Sequence, residues 1–322
     1  MILVTGGCGY IGSHVVKALY EAGEKVVVYD DLSSSSKNSL LHDEPLVVGD
    51  ICDKEALTKV FKTYDIKEVI HLAALVNAAE SVSKSDLYKK VNDEGSRLVY
   101  EVALEHGVKI IMYSSSAAVY GVPSTRDPLS ESALLSPSNP YGQTKLAAED
   151  SLKLLTQDKA KYGIFRFFNV AGAKEEGRLG QSRESRAIMQ RLFAVANGEE
   201  AKIMISGHDY DTLDGTVLRD FVHVEDISLA FVLGLTHLRQ GKESFILNLG
   251  SGEGFTIGQV IKEVVIVTGK DINVEYGARM IGDIDYSLSD ITLASQILGW
   301  EPSSTLRLMV RDGWNAYHAR SK

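Results

Sequence analysis

The sequence is poor in cysteine and has no grouping of metal-ligating residues. Only Cys8 and Cys52 occur among its 322 residues, which is too few for a disulfide framework. Neither cysteine lies at the Cys/His spacing of a zinc site, and the eight histidines do not cluster. We therefore expect no metal site and a cytoplasmic protein.

Long hydrophobic runs and charge of one sign are also lacking. No apolar run is long enough to cross a membrane, and the first five residues have the pattern of a buried strand, with no basic leader or cleavable segment ahead of it. The net charge is −9, and acidic and basic residues are mixed without a basic cluster. These features predict a soluble globular protein with neither a nucleic-acid nor a membrane partner.

Apolar residues are plentiful, at 44% of the chain, which is enough for a large core in one or two domains. Strands and helices alternate through the first half: strands are predicted at 2–5, 25–29, 46–48, 68–74 and 109–114, and helices at 53–64 and 87–106. This rhythm predicts an α/β fold with a doubly wound, Rossmann-like parallel sheet. In such sheets the ligand lies beyond the carboxyl ends of the strands.

The regular alternation stops after residue 168. Glycines and charged residues dominate 172–186, and shorter elements follow, namely helices at 187–197 and 257–268 and strands at 202–205, 218–224 and 245–249. We divide the chain into a cofactor-binding domain of residues 1–168 and a smaller mixed α/β substrate domain of residues 169–322. Residues of about 218–250 are expected to pack back against the first domain.

The first strand runs into a glycine-rich turn that precedes a helix. Gly6, Gly9 and Gly12 are three residues apart. Glycines at this spacing let the backbone approach a pyrophosphate, and the helix N-terminus supplies amide donors. The next strand ends at Asp30, at the distance of about 20 residues where an acid binds a ribose diol. A carboxylate repels a 2′-phosphate, so NAD is favoured over NADP, and Asp31 could share the role. The candidate contacts are Gly6, Gly9, Tyr10, Ile11, Gly12, Asp30 and Asp31.

Further polar groups follow later strands. Asp50 and Ile51 come directly after strand 46–48 and could flank an adenine. His71, within strand 68–74, is interpreted as a hydrogen-bonded core residue. A second glycine-rich turn spans 250–254, but no acidic strand end follows it at the required distance, so we interpret it as a packing turn.

Tyr141 and Lys145 mark the candidate catalytic helix. Asn139 is a suitable N-cap and Pro140 suits the first helical position. Residues four apart share a helical face, and an ammonium about 6 Å from a phenol, at an effective dielectric of 20, lowers the phenol pKa by about two units. Ser116, from the end of strand 109–114, is the candidate partner at the same edge of the sheet.

Several segments together resemble the extended short-chain dehydrogenase/reductases over nearly the whole chain. They are residues 5–14, 49–51, 114–121, 140–145 and 167–169, which read TGGCGYIGSH, GDI, SSSAAVYG, PYGQTK and FFN. Residues 207–216 (GHDYDTLDGT) and 219–224 (RDFVHV) more specifically resemble the UDP-glucose (UDP-galactose) 4-epimerases of that family.

The resemblance implies inversion of C4 of a UDP-hexose by hydride transfer to bound NAD, through a 4-keto intermediate. It implies Tyr141 as the catalytic base, Ser116 as its aid in proton transfer and Lys145 as the residue that holds the nicotinamide ribose. Further cofactor contacts are then expected at Ala73, Asn92 and Ser114. The implied substrate contacts are Ser116, Tyr141, Asn169, Arg219, Arg279, Asp283 and Ser287.

The chain departs from the family pattern in several places. Nucleotide-sugar dehydratases of the same superfamily carry an acid and a base at the positions of Ala117 and Ala118, and alanine cannot move protons, so dehydration is not expected. Met280 stands where the family has an arginine nearest the diphosphate. An Arg186-Ala187 pair replaces the usual polar pair, which leaves open whether Arg186 or Arg279 compensates.

Ser287 and the assembly state complete these expectations. A bulky tyrosine tends to occupy the position of Ser287 in members restricted to plain hexoses, so UDP-GlcNAc and UDP-GalNAc could also be accepted, unless a neighbouring side chain fills the space.

Two alternatives stay open: a 4-epimerase of another nucleotide sugar, and a non-catalytic NAD-binding sensor. The resemblance also implies a homodimer formed through helices at 87–106 and 141–155.

Overall fold

The computed structural model describes residues 1–174, 178–279 and 284–319. Its strands are β1 (Ile2–Thr5), β2 (Val26–Asp30), β3 (Leu46–Val48), β4 (Glu68–His71), β5 (Ile110–Ser116), β6 (Lys161–Phe167), β7 (Asn169–Ala171), β8 (Ile203–Ser206), β9 (Leu218–His223), β10 (Phe245–Leu249), β11 (Gly254–Thr256), β12 (Val274–Gly277) and β13 (Tyr286–Ser287). Its helices are α1 (Tyr10–Glu21), α2 (Lys54–Thr63), α3 (Ala78–Ser83), α4 (Ser85–Tyr88), α5 (Ser96–Glu105), α6 (Pro140–Thr156), α7 (Ile188–Ala196), α8 (Val224–Arg239), α9 (Ile257–Thr268), α10 (Thr292–Leu298) and α11 (Leu306–Ala319).

The main sheet has seven strands in the order β10-β6-β5-β4-β1-β2-β3. Every neighbouring pair is parallel, and the chain crosses between strands through helices on both faces. This confirms the predicted doubly wound α/β fold. All seven carboxyl ends therefore lie along one edge of the sheet, where ligands bind in such folds.

Alternate residues of the strands point to opposite faces of the sheet. Val4 and Ile70 pack in the apolar cluster that includes α1 and α8. Leu3 and Val69 pack in a second cluster with α2, α5 and α6. Each of these side chains contributes about 2 kcal/mol of burial free energy, and burial on both faces explains why the strands are apolar throughout.

A smaller sheet is centred on β9. Strands β7 and β13 pair with β9 in parallel, and β11 pairs with it antiparallel. Beyond it, β8 and β12 form a parallel pair. The chain also returns to the main sheet, because β10 lies beside β6 at its edge and α8 packs in the same core cluster as α1.

The second glycine-rich turn encloses a carboxylate of the chain itself. Asp220, fully buried on β9, accepts hydrogen bonds from Ser251 N at 2.6 Å and from Gly252 N at 3.2 Å. It also accepts one from Ser289 N at 3.1 Å. The amides of this turn are thus satisfied internally, in agreement with its interpretation as a packing turn.

The predicted helix at 87–106 is interrupted. A π-helical segment, Lys89–Gly95, separates α4 from α5. At Gly95 a Cβ would lie 3.1 Å from the Ile51 side chain, so this segment packs closely against the residue that follows β3. Such π segments are frequent at functional sites.

The described residues offer neither a membrane helix nor a metal cluster. None of their helices is both long and apolar enough to cross a membrane. No group of three or more His, Cys, Asp or Glu side chains among them is arranged to hold a metal ion.

Candidate active site

Two glycines around the turn between β1 and α1 have no room for a side chain. Gly6 has a φ of +69°, and a Cβ there would lie 2.6 Å from the backbone N of Ala73. A Cβ at Gly12 would lie 2.0 Å from the carbonyl oxygen of Gly6. Gly9 is the N-cap of α1 and has no side chain to cap it, so the first amides of α1 are suited to bind a pyrophosphate.

The two residues between these glycines differ in their surroundings. The Tyr10 hydroxyl donates to the carbonyl of Gly172 at 2.7 Å, which ties α1 to the segment after β7. Ile11 is partly buried and packs against the core cluster on the α1 face. Both therefore fix how the helix N-terminus meets the edge of the sheet.

Of the two candidate acids after β2, Asp30 faces the glycine turn. Asp30 is 6% exposed and accepts hydrogen bonds from Cys8 N at 2.9 Å and Ser35 Oγ at 2.8 Å. Asp31 is exposed and accepts from the amide and the hydroxyl of Ser33. Asp30 is thus the acid in position for a ribose diol.

The remaining strand-end candidates lie around the same edge. Asp50 is exposed and accepts from Cys52 N at 2.8 Å, whereas Ile51 is buried. Asn92 is fully buried in the π-helical segment. Its side chain accepts from Leu75 N and donates to Leu75 O, both at 2.8 Å, so Asn92 holds the loop that contains Ala73.

The predicted start of the catalytic helix is confirmed. α6 begins at Pro140, and the Asn139 side chain accepts from Gly142 N at 2.9 Å. The Tyr141 amide donates to Ser81 Oγ at 3.1 Å, so α3 also fixes this turn. Ser116 ends β5 beside the Tyr141 side chain, where its hydroxyl acts to lower the pKa of the phenol.

Lys145 is buried on the same face of α6, with 2% exposure. Its Nζ donates to the carbonyl of Ser114 at 2.7 Å and lies 6.0 Å from the centroid of the Tyr141 ring. The Ser114 hydroxyl itself donates to His71 O at 3.2 Å. The structure therefore brings Ser116, Tyr141 and Lys145 together. Ser114 contributes its backbone carbonyl to Lys145, and its hydroxyl is bound to the backbone of β4.

The expected lowering of the Tyr141 pKa is wrong for the protein without a ligand. Burial raises the pKa of the Tyr141 phenol, and the hydrogen bond with Ser116 only opposes that rise. Burial also lowers the pKa of Lys145 to about 7, against the opposing charge of Glu149. A lysine that is only partly charged near pH 7 cannot supply the full ammonium charge on which the expectation depended.

His71 is a satisfied core residue, as predicted. It is fully buried, its Nδ1 lies 2.6 Å from Thr5 Oγ1, and its Nε2 lies 2.8 Å from Ser96 Oγ. Ser96 Oγ already donates to Asn92 O at 2.6 Å, so Nε2 is the donor to Ser96 and the ring is neutral. Burial accordingly lowers the pKa of His71 to about 3.

The candidate substrate-binding residues from 169–322 include three that lie on paired strands of the small sheet. Ser287 on β13 is partly buried and pairs with Arg219 on β9. Asn169 is exposed and opens β7, whose first residue pairs with Phe221 on the same central strand. Arg219 and Ser287 are thus brought side by side, and Asn169 pairs with β9 two residues further along, at Phe221.

Arg279 is turned toward a neighbouring loop. It is exposed, its Nε lies 2.8 Å from Asp209 Oδ1, and its guanidinium lies 4.2 Å from the centroid of the Tyr210 ring. Asp283 and Met280 lie outside the described residues. Arg186 is exposed and precedes Ala187, the N-cap of α7.

Known proteins similar to this chain identify its family. A model of the NAD dependent epimerase/dehydratase family matches residues 2–250. The chain belongs to this family. It is 40% identical to the UDP-glucose 4-epimerase of Halalkalibacterium halodurans over 98% of this chain and 94% of that protein.

Solved structures of the family are similar along their whole length. The UDP-glucose 4-epimerase from Stenotrophomonas maltophila, with bound NAD and formylated UDP-arabinopyranose, superposes with a TM-score of 0.95 at 34% identity and covers 99% of this chain and 98% of that one. The UDP-Glc/GlcNAc 4-epimerase from Campylobacter jejuni gives a TM-score of 0.87 at 33% identity, with 99% of each chain covered. The resemblance drawn from the motifs is therefore confirmed.

Within this epimerase/dehydratase family, the short segment after β5 distinguishes the two chemistries. Ala117 and Ala118 lie in a single 3₁₀ turn directly after Ser116. The Ser116 hydroxyl accepts a hydrogen bond from Ala118 N at 3.2 Å. No proton-transferring side chain is offered by these two positions, as expected for an epimerase.

Two residues of the site were missed in the sequence. Ser81, which holds the Tyr141 amide, is 60 residues away in the chain and carries no local signal. Glu149 is fully buried beneath Lys145, and its spacing of one helical turn after Lys145 was a usable signal. A buried acid on the catalytic face of a helix could therefore have been recognised.

The burial of Lys145 predicts a pH-dependent stability. Its pKa is about 7 in the folded protein, against an ordinary value of 10.5. Between these values the unfolded chain binds a proton that the folded protein lacks, so this group makes the free energy of unfolding rise with pH, by about 1 kcal/mol per unit. Urea unfolding between about pH 7.5 and 9.5 should show that Lys145→Met loses this rise relative to wild type.

The exposed Lys109 provides the control, because Lys109→Met should keep the slope of the wild type. Equal pH slopes for wild type and Lys145→Met would contradict the prediction.

Proposed function

We propose that this chain is a UDP-glucose/UDP-galactose 4-epimerase that uses tightly bound NAD. The observation that carries the proposal is the meeting of Ser116, Tyr141 and Lys145 at the carboxyl edge of the main sheet. The glycine turn that closely approaches the loop after β4 lies at the same edge. Relatives at 40% identity over nearly the whole chain carry that name.

The residues at this edge fit a dinucleotide. Gly6 and Gly12 leave the space that side chains would fill, the N-terminus of α1 offers amides to a pyrophosphate, and buried Asp30 is a ribose acceptor. The relative from Stenotrophomonas maltophila was solved with bound NAD. When bound, NAD supplies the hydride acceptor for C4 and returns the hydride to the other face of the 4-keto sugar.

The chain's own residues would move the proton. Tyr141, as the phenolate, accepts the proton of the C4 hydroxyl and later returns it. Ser116, whose hydroxyl lies beside the Tyr141 phenol and opposes the rise of its pKa, would assist this proton transfer. Lys145 in its ammonium form binds the nicotinamide ribose and favours the phenolate of Tyr141.

For Tyr141 to act as a base, its raised pKa must be lowered in the ligand-bound enzyme. Burial disfavours the phenolate in the protein alone, so a base near neutral pH requires positive charge nearby. Lys145 Nζ lies 6.0 Å from the centroid of the Tyr141 ring and would supply this charge as the ammonium. The nicotinamide ring of bound oxidised NAD would add a second positive charge.

We assign the substrate side to the second region of the chain. Residues 1–168 form the NAD-binding domain and residues 169–322 the substrate domain, with about 218–250 packed on the first. Arg219 lies on β9 and Asn169 on the paired strand β7, and both would contact the nucleotide diphosphate. The free thiols of Cys8 and Cys52 favour a reducing, cytoplasmic location.

Substitution of Tyr141 tests its acid–base role. Purified protein without added NAD should convert UDP-galactose to UDP-glucose, and Tyr141→Phe should lower kcat by about 10²- to 10⁴-fold because it removes the acid–base group. Coupled detection of UDP-glucose measures this. Tyr100→Phe, at a buried tyrosine of the neighbouring α5, is the matched control and should keep wild-type kcat.

A wild type that turns over another 4-hydroxyl nucleotide sugar but not UDP-galactose would indicate the alternative epimerase. Bound NAD with no turnover of any nucleotide sugar would indicate the non-catalytic sensor.

We further propose that N-acetylated UDP-hexoses are accepted. Ser287 is small and partly buried, directly beside Arg219, so a bulky group on the sugar would meet a hydroxymethyl rather than a ring. The similar enzyme from Campylobacter jejuni is a UDP-Glc/GlcNAc 4-epimerase. Pocket size at this position would therefore select between plain and acetamido sugars.

Substitution of Ser287 tests this assignment. Ser287→Tyr should reduce kcat/KM for UDP-GlcNAc by about 10- to 200-fold through exclusion of the acetamido group, while turnover of UDP-galactose is largely retained. Ser287→Ala, which keeps the space open, is the control. Equal losses of kcat/KM for both substrates in Ser287→Tyr, or no UDP-GlcNAc turnover in wild type, would contradict this proposal.

We also propose a homodimer formed through the helices at 87–106 and 141–155. Two exposed leucines support this surface, Leu87 at 43% and Leu154 at 71% exposure, because apolar side chains on such helices are typical of subunit contacts.

Gel filtration with light scattering should give a mass near twice the 35.2 kDa subunit. Leu87→Asp with Leu154→Asp should shift the mass toward one subunit, because charge in an apolar contact opposes association. Leu213→Asp, at an exposed leucine outside both helices, should leave the mass unchanged. A wild-type mass near one subunit contradicts the dimer.

A further inference from the structure

A buried ion pair lies beneath the catalytic group. Glu149 on α6 is fully buried and Arg166 on β6 is 2% exposed. Arg166 donates from Nε to Glu149 Oε1 at 3.0 Å and from Nη2 to Glu149 Oε2 at 2.7 Å. Apolar residues of similar volume often stabilise a core equally well, so the presence of this pair calls for a reason beyond stability.

Two contacts, one helical turn apart, join α6 to the end of β5. The Lys145 ammonium donates to the carbonyl of Ser114 at 2.7 Å. One turn further, Glu149 Oε1 accepts the hydroxyl proton of Ser115. The next residue of the strand is Ser116, which lies beside the Tyr141 phenol and favours its ionised form. Two of the last three residues of β5 are thus fixed to the helical face that carries Tyr141.

We propose that Glu149, held by its bidentate pair with Arg166, is a positioning residue for the reaction. It binds the Ser115 hydroxyl and so fixes the strand end from which Ser116 reaches Tyr141. Its carboxylate also lies one helical turn from Lys145, where it favours the ammonium form. This role rests on the proposed function, in which Ser116, Tyr141 and Lys145 act on the sugar.

The groups around Lys145 single out Glu149 as the source of negative charge. The ring of Tyr113 on β5 lies 4.9 Å from Lys145 Nζ, and Tyr141 lies on the same helix at 6.0 Å. His71 on β4 is neutral, with its pKa lowered to about 3. Arg166 on β6 bears a positive charge and is neutralised by Glu149. Glu149 is therefore the group whose charge opposes the effect of burial on the Lys145 pKa.

The test replaces the carboxylate by an amide of the same shape. Glu149→Gln should lower kcat by on the order of 100-fold through misplacement of the reacting groups, with KM for UDP-galactose little changed. It should also move the alkaline limb of the kcat–pH profile to lower pH by roughly one unit, because the Lys145 ammonium loses a nearby opposite charge. The pKa of Lys145 is followed independently by NMR of ¹³C-labelled lysine, assigned with Lys145→Arg.

The chain offers a matched control at the opposite edge of the sheet. Glu68 at the start of β4 is 8% exposed and forms a bidentate pair with Arg239, with Glu68 Oε1 at 2.7 Å from Arg239 Nε. Glu68→Gln therefore breaks the same kind of pair far from the catalytic edge. Its kcat–pH profile and the Lys145 pKa should match those of wild type.

A second variant covers the case in which Glu149→Gln does not fold. Ser115→Ala keeps the ion pair and removes only the bond to the strand, so kcat should fall by about 10-fold while the pH profile stays in place. The inference is overturned if Glu149→Gln leaves the Lys145 pKa unchanged, if Glu68→Gln shifts it equally, or if Ser115→Ala has wild-type kcat. Wild-type protein without epimerase activity would refute the proposed function instead, and the NMR titration would still report on the Glu149 charge.

Discussion

The Lys145 ammonium is buried beneath the open edge of the main sheet, and the structure around it serves to compensate its charge. A buried cation is costly unless hydrogen bonds and opposite charge accompany it. Ser114 supplies a carbonyl, Tyr113 an aromatic face and Glu149 a carboxylate. The compensation is partial, because the pKa of Lys145 still falls to about 7. The site therefore holds a lysine whose charge responds to whatever binds beside it.

Much of the fold could be predicted because its signals are local. Strands buried on both faces are apolar throughout, so β1, β2 and β4 stand out from their neighbours. Two adjacent residues indicate the start of α6, because Asn139 is its N-cap and Pro140 its first residue, as predicted. The glycine turn is equally local, since each glycine meets a backbone atom only a short chain distance away or across one strand pair.

The remaining features depend on contacts between distant segments. β5 continues to Ser116, beyond the predicted end at residue 114, because Ser115 and Ser116 pair with Arg166 and Phe167 of β6. Polar residues give no apolar signal, so this extension was invisible in the sequence. The ionisation of Tyr141 was mispredicted for a related reason. Burial by the folded chain outweighs the neighbouring lysine, and spacing along a helix carries no information about burial.

The carboxylate of Asp220 has a consequence for how the molecule assembles. Its partners are distant in the chain: Ser251 lies 31 residues later and Ser289 lies 69 residues later. β13, beside Arg219, can therefore be locked in place only after the chain has passed Ser289, whereas β1 through β6 and the catalytic helix are complete by residue 167. Contacts of such sequence separation form late, because loop closure must precede them. On the ribosome we expect the main sheet to be completed by α8 and β10, at residue 249, before β13 can be joined to β9 about 40 residues later.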